Sequence, residues 1–152
     1  MTLLAGACRS PPAPAPPGSA QPGTRIAELA ASFIGAPYQF GGADAAGFDC
    51  SGLARYVHER AGLAIPRTAA EQQRAARRVA LAQLSAGDLV FFRIRGHGVD
   101  HVGVYTGGGH FVHAPRLGEP VAYGDLSRGF YARHLVSAGR FWDRHASQPS
   151  PP

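Results

Sequence analysis

A helix whose first turn carries a cysteine is written into Gly47-Phe48-Asp49-Cys50-Ser51-Gly52 and the Leu53-Ala54-Arg55-Tyr56-Val57-His58 that follows. Aspartate caps helices through its carboxylate, and Leu53, Tyr56 and Val57 recur at helical spacing. The pattern predicts a buried helix with Asp49 at its cap and Cys50 in its first turn. There, unpaired backbone N–H groups and the positive end of the helix dipole favour a thiolate. The competing reading is a small buried core thiol, the commoner fate of a free cysteine.

A chain of 152 residues suits one domain, and Arg25 to Asp143 is long enough to bury a single core. All fifteen basic residues are arginine, for a net charge of +5 and a pI near 9.9. Such a balance favours an anionic partner: a carboxylate-rich wall polymer, lipid head groups or nucleic acid. No long basic run with interleaved aromatics is present, which argues against nucleic acid. No run of about 18 apolar residues is present to span a membrane.

Of the two cysteines, Cys8 closes Leu3-Leu4-Ala5-Gly6-Ala7-Cys8. This reads as the end of a bacterial lipoprotein signal, partial because it lacks a basic segment and a full apolar stretch, with Cys8 as the lipidated residue. A Cys8–Cys50 disulfide would tie a tail to a helix start and is not expected. Arg9 to Gly23 holds six prolines among small residues and reads as a semi-rigid linker. Residues 1–8 are thus a partial signal, 9–23 a linker, 24–143 the folded domain and 144–152 a disordered tail.

Within the domain, Thr24 is expected to cap a helix over Arg25 to Ile34, ended by Gly35 and Pro37. Tyr38 to Gly42 forms an extended approach to the cysteine loop. Thr68-Ala69-Ala70-Glu71 is a capping box opening a helix to about Arg78. Leu89 to Ile94 reads as a strand, Arg95 to Asp100 as a loop, and His101 to Thr106 and His110 to Ala114 as a hairpin across Gly107-Gly108-Gly109. Ala122 to Asp143 adds a strand or two, with Leu135, Val136, Phe141 and Trp142 in the core. Helices first and strands later imply an α+β fold.

The hairpin can supply a base and its orienting partner. A three-glycine turn makes facing residue numbers sum to 216, which sets His113 opposite Gly103 and diagonal to His101 on one face, about 7–8 Å apart at the backbone. A two-residue turn would throw His113 to the other face. With the first register, His101 takes the Cys50 proton and His113 fixes its tautomer. Tyr38 offers a hydroxyl to an oxyanion. A metal reading of His97, Asp100, His101, His110 and His113 is disfavoured, because these residues mix a loop, two faces and a turn.

Tyr38 to Gly42, Gly47 to Gly52, Pro66-Arg67-Thr68-Ala69 with Glu71-Gln72, Gly87 to Phe92, His101 to Tyr105 and Phe111 to Pro115 together resemble the NlpC/P60 family of bacterial cell-wall cysteine peptidases. The resemblance runs from about Ile26 to Arg140. It implies a papain-like α+β fold, N-terminal helices packed on an antiparallel sheet; the chain itself is expected to act as a monomer. It also implies hydrolysis of peptide bonds in peptidoglycan stems or cross-links, without metal or cofactor. Position by position it makes Cys50 the nucleophile, His101 the base, His113 its orienter and Tyr38 the oxyanion-site tyrosine. Asp49 and Ser51 match residues that bind the substrate's amino group, and Arg67 a contact for a stem carboxylate. A lone catalytic domain on a lipidated tether resembles the small outer-membrane murein endopeptidases of Gram-negative bacteria, anchored to the lipid bilayer through Cys8 and facing the periplasm. Acyltransferases, amidases and inactive wall-binding proteins share this scaffold and are the alternatives.

Overall fold

The computed structural model describes residues 20–143. The signal, Cys8, most of the linker and the tail lie outside the described residues. The chain opens with α1 (Pro22–Ser32), then a small hairpin of β1 (Ala43–Asp44) and β2 (Gly47–Phe48), α2 (Cys50–Arg60) and α3 (Ala69–Ala75). Strands β3 (Arg77–Val79), β4 (Leu89–Phe92), β5 (His101–Gly107), β6 (His110–His113) and β7 (Ala122–Asp125) follow, then α4 (Gly129–His134) and β8 (Leu135–Arg140). Six strands form an antiparallel sheet in the order β3-β8-β4-β5-β6-β7.

Both faces of the sheet are covered, which explains the unbroken apolar run of β4. Leu89 and Phe91 pack towards Ile26, Ala30, Leu53 and Val57 of α1 and α2. Val90 and Phe92 point the other way, to Phe111, Ala138 and the ring of Tyr131. The four side chains are fully buried, so the strand contributes on the order of 6–12 kcal/mol of apolar burial before entropy is counted.

Several boundaries differ from expectation. Helix α1 begins at Pro22, with Gln21 rather than Thr24 at the cap, because proline is well placed in a first helical turn. Helix α3 has the expected capping box but stops at Ala75, since Arg77–Val79 pair with Arg140–Ala138 of β8. Strand β4 ends at Phe92, and Phe92 marks a register shift against β8. Helix α4 replaces part of the expected extended segment. Val136 is 37 % exposed, whereas Leu135 packs against the second core cluster as expected and Ser137 and Ala138 are buried. Phe141 is buried and Trp142 packs on the core as expected.

The hairpin reaches the expected register by another route. Its turn is the two-residue Gly108-Gly109, with φ of 60° and 80° that favour glycine. Gly107 faces His110, but Thr106 is then bulged out, and Tyr105 faces Phe111 and Val104 faces Val112. The bulge restores the sum of 216. His113 therefore shares a face with His101.

Candidate active site

Helix α2 starts where it does because Asp49, in an extended conformation, accepts the Gly52 N–H at 2.7 Å. The same carboxylate accepts from the Gly41 N–H at 3.1 Å and takes a two-pronged contact from Arg67 at 2.7 and 3.0 Å. Arg67 also donates to the Ser51 hydroxyl at 2.9 Å. Gly52 is required by a close approach, since a Cβ there would lie 1.9 Å from the Gly42 carbonyl. The loop before the cysteine is thereby clamped to the helix.

Cys50 is a free thiol at the head of that helix. Burial pushes it up to about 11, and the Asp49 charge adds to this. The backbone N–H groups of Val102, Ser51 and Cys50 itself pull the other way. Desolvation thus opposes the helix end, which favours a thiolate. Burial also brings His101 down to about 4, with Asp100 opposing and Arg95 assisting. His113 falls to about 3 through burial and then the proximity of His101. Burial thus disfavours the charged forms of the thiol and of both imidazoles.

His101 Nε2 and His113 Nδ1 lie 2.7 Å apart, with the rings at 86°. A single proton bridges them. Only the tautomer in which His101 Nε2–H donates leaves the other nitrogen of His101, Nδ1, with a free lone pair. That is the nitrogen a base needs. Both histidines are nearly sealed, at 5 % and 2 % exposure.

Tyr131 of α4 accounts for much of that sealing. Its ring stacks over His101 at 6.1 Å and 24°, meets His113 edge-on at 4.8 Å, and closes on Phe92 and Phe111. Reading the sequence missed it along with its helix. The adjacent aromatics Phe130-Tyr131 followed by Arg133-His134 were the available signal, since cations gather in last helical turns.

A cavity of about 700 Å³ opens over these groups, and Tyr38, Asp49, Cys50, Ser51 and His101 all line it. His113 stands behind His101, and Arg67 stands behind Asp49 rather than on the wall. Burial raises the Tyr38 hydroxyl, with Cys50 and Asp49 adding to the shift. Among the described residues no group of three or more His, Cys, Asp or Glu side chains could hold a metal ion. His110 is instead exposed at the hairpin end, bonded to the Gly108 carbonyl.

The sequence profile of the NlpC/P60 family matches residues 35–140. The chain belongs to the NlpC/P60 family. Among similar NlpC/P60 proteins, the murein DD-endopeptidase MepH of Escherichia coli is 46 % identical over 112 residues, 70 % of this chain and 41 % of its own length. The bifunctional muramidase/DL-endopeptidase CwlT of Bacillus subtilis is 41 % identical over 118 residues, 76 % of this chain and 35 % of its own. This chain therefore spans less than half the length of these relatives. The crystal structure of the NlpC/P60 domain of the peptidoglycan hydrolase SagA superposes with a TM-score of 0.68 at 37 % identity, covering 78 % of this chain and 98 % of that one. An NlpC/P60 protein from Bacillus cereus gives 0.74 at 31 % identity, covering 86 % and 41 %. The papain-like α+β fold is the one this family shares.

Proposed function

We propose that this chain is a thiol-dependent endopeptidase that hydrolyses peptide bonds in peptidoglycan stems or their cross-links. The observation that carries the reading is a cysteine at a helix head sharing one cavity with a histidine whose other ring nitrogen is held by a second histidine. Relatives named as murein endopeptidases support the substrate class.

Cys50 is the nucleophile and His101 the base. As Sγ attacks the scissile carbonyl, the thiol proton passes to His101 Nδ1 and a C–S bond forms. Because burial disfavours the thiolate, proton transfer accompanies attack. The oxyanion is met by N–H groups at the α2 head and the Tyr38 hydroxyl. His101 then gives its proton to the leaving amine as the C–N bond breaks, and water, activated by the same imidazole, releases the thioester as acid. His113 holds the His101 tautomer and ring throughout. Asp49 and Ser51 present polar atoms to the substrate's amino end. Arg67, with its fork taken by Asp49, supports them from behind rather than meeting a stem carboxylate directly.

Action on the wall implies the cell envelope, with Cys8 as an acylated anchor to the outer membrane; Cys8→Ser should then move the protein from membrane to soluble fraction. The reaction itself is tested by mass spectrometry of diaminopimelate-type muropeptides incubated with the protein and its Cys50→Ala variant. Cross-linked dimers falling to monomers, or stems shortened at the D-glutamyl bond, only when Cys50 is present, would establish the reaction and name the bond. No thiol-dependent product would overturn the peptidase reading and turn attention to acyl transfer or wall binding.

A further inference from the structure

The charged side chains on the cavity wall are matched with one exception. Asp49 is engaged by Arg67, and Glu119 by Arg116 at 2.5 Å. Asp100 accepts the backbone N–H groups of Ile94 and Arg95 at 2.8 and 2.7 Å, which fastens both to the residue that directly precedes His101. Arg95 also lines the cavity, and among the described residues no carboxylate pairs with its guanidinium. Its charge is felt inside the site: it lowers His101 and Tyr38 alike. An arginine fixed at its backbone beside a base, with an open fork and no partner, is suited to a planar anion.

We propose that Arg95 forms a carboxylate subsite that selects stem peptides bearing a free carboxylate next to the scissile bond. The inference rests on the endopeptidase reading and extends it to substrate choice. Both bonds open to that reading carry such a group. A γ-linked D-glutamyl residue keeps its α-carboxylate free, and a diaminopimelyl residue whose second amine is acylated in a cross-link keeps the carboxylate beside that amine free. Arg116 is a poorer candidate because Glu119 already occupies it. When a stem fills the cavity and displaces water, the ion pair with Arg95 strengthens as the local dielectric falls.

The test compares two matched muropeptides, one with the carboxylates flanking the scissile bond free and one with them amidated, on the wild-type protein, Arg95→Gln and Arg95→Lys. The wild type should prefer the free acid by about tenfold or more in kcat/KM, mostly through KM. Arg95→Gln should collapse that preference towards one, and Arg95→Lys should restore part of it, since the ammonium keeps the charge and loses the fork. Equal wild-type rates on both substrates, or a preference that survives in Arg95→Gln, would overturn the subsite while leaving the peptidase intact. Cleavage of neither substrate by the wild type would overturn both.

Discussion

His101 Nε2 sits 2.7 Å from His113 Nδ1, on one face of adjacent strands and beneath the ring of Tyr131. The two imidazoles are unequal partners, because His101 lines the cavity and His113 does not. His101→Ala should cost about 10²–10⁴ in kcat, the usual worth of a positioned base. His113→Ala should cost at least about tenfold less, since a neutral imidazole orients by its dipole alone. Single-turnover rates at saturating substrate check this; equal losses would give His113 a direct share in proton transfer.

Tyr131 should prove a positioning residue. Tyr131→Ala admits water to the histidine pair, so kcat should fall about tenfold with a smaller change in KM. The acid limb of the rate profile should also move upward as the His101 ring regains solvent. Tyr131→Phe, which keeps the ring, should restore both quantities; a hydroxyl requirement would show instead as failure of that rescue.

Arg67→Ala should slow alkylation of Cys50 by iodoacetamide near neutral pH. It removes a cation that offsets the Asp49 charge beside the sulfur, so the thiol moves further up. Asp49→Ala should instead lower stability by about 1–2 kcal/mol through the lost cap, read from urea midpoints. An unchanged alkylation rate in Arg67→Ala would mean that the pair shields the sulfur from neither charge.

The pH dependence of kcat/KM follows from the burial of Cys50 and His101. His101 accepts the thiol proton only when unprotonated, and burial keeps it so down to about 4. The thiol stays protonated up to about 11. Activity should be nearly flat from about pH 6 to 9 and fall with an acid limb near 4, well below an ordinary histidine near 6.5. A limb at 6.5 would mean that the base is solvated in the working enzyme.

Stability should fall in acid through His58. This side chain is fully buried in α2; Nδ1 lies 2.7 Å from the Ala54 carbonyl, and among the described residues Nε2 has no hydrogen-bond partner. Burial lowers it to about 4, whereas the unfolded chain protonates it near 6.5. Between those values the unfolded state binds more protons, so this contribution is complete above 6.5 and lost as pH falls towards 4. The loss is about 2–3 kcal/mol. His101 and His113 act with the same sign. His58→Leu should retain more of its neutral-pH urea midpoint at pH 4.5 than the wild type; parallel losses would acquit His58.

Much of the site was legible because it is built from local patterns. Asp49 caps the helix that begins at Cys50, and Thr68 and Glu71 form their box, through contacts three residues apart. Register was harder. The spacing of His101 and His113 gave the correct face, but through a three-residue turn that is in fact a two-residue turn and a bulge at Thr106. Strand β3 was hidden inside a helical pattern because pairing with β8, about sixty residues away, overrides the local preference of Arg77-Arg78-Val79.

By itself the sequence determined the main helices and the central strands, the cysteine at a helix head and the family, since caps, turns and periodicity act over a few residues. Tertiary structure decided how far the site is desolvated and who surrounds it. A helix dipole argued for a thiolate, but burial is a property of the whole fold, and it disfavours the charged forms of Cys50 and His101. The placing of Tyr131 over the histidines and of Arg67 against Asp49 likewise depends on segments distant in the chain meeting in space. No short window of sequence carries that information.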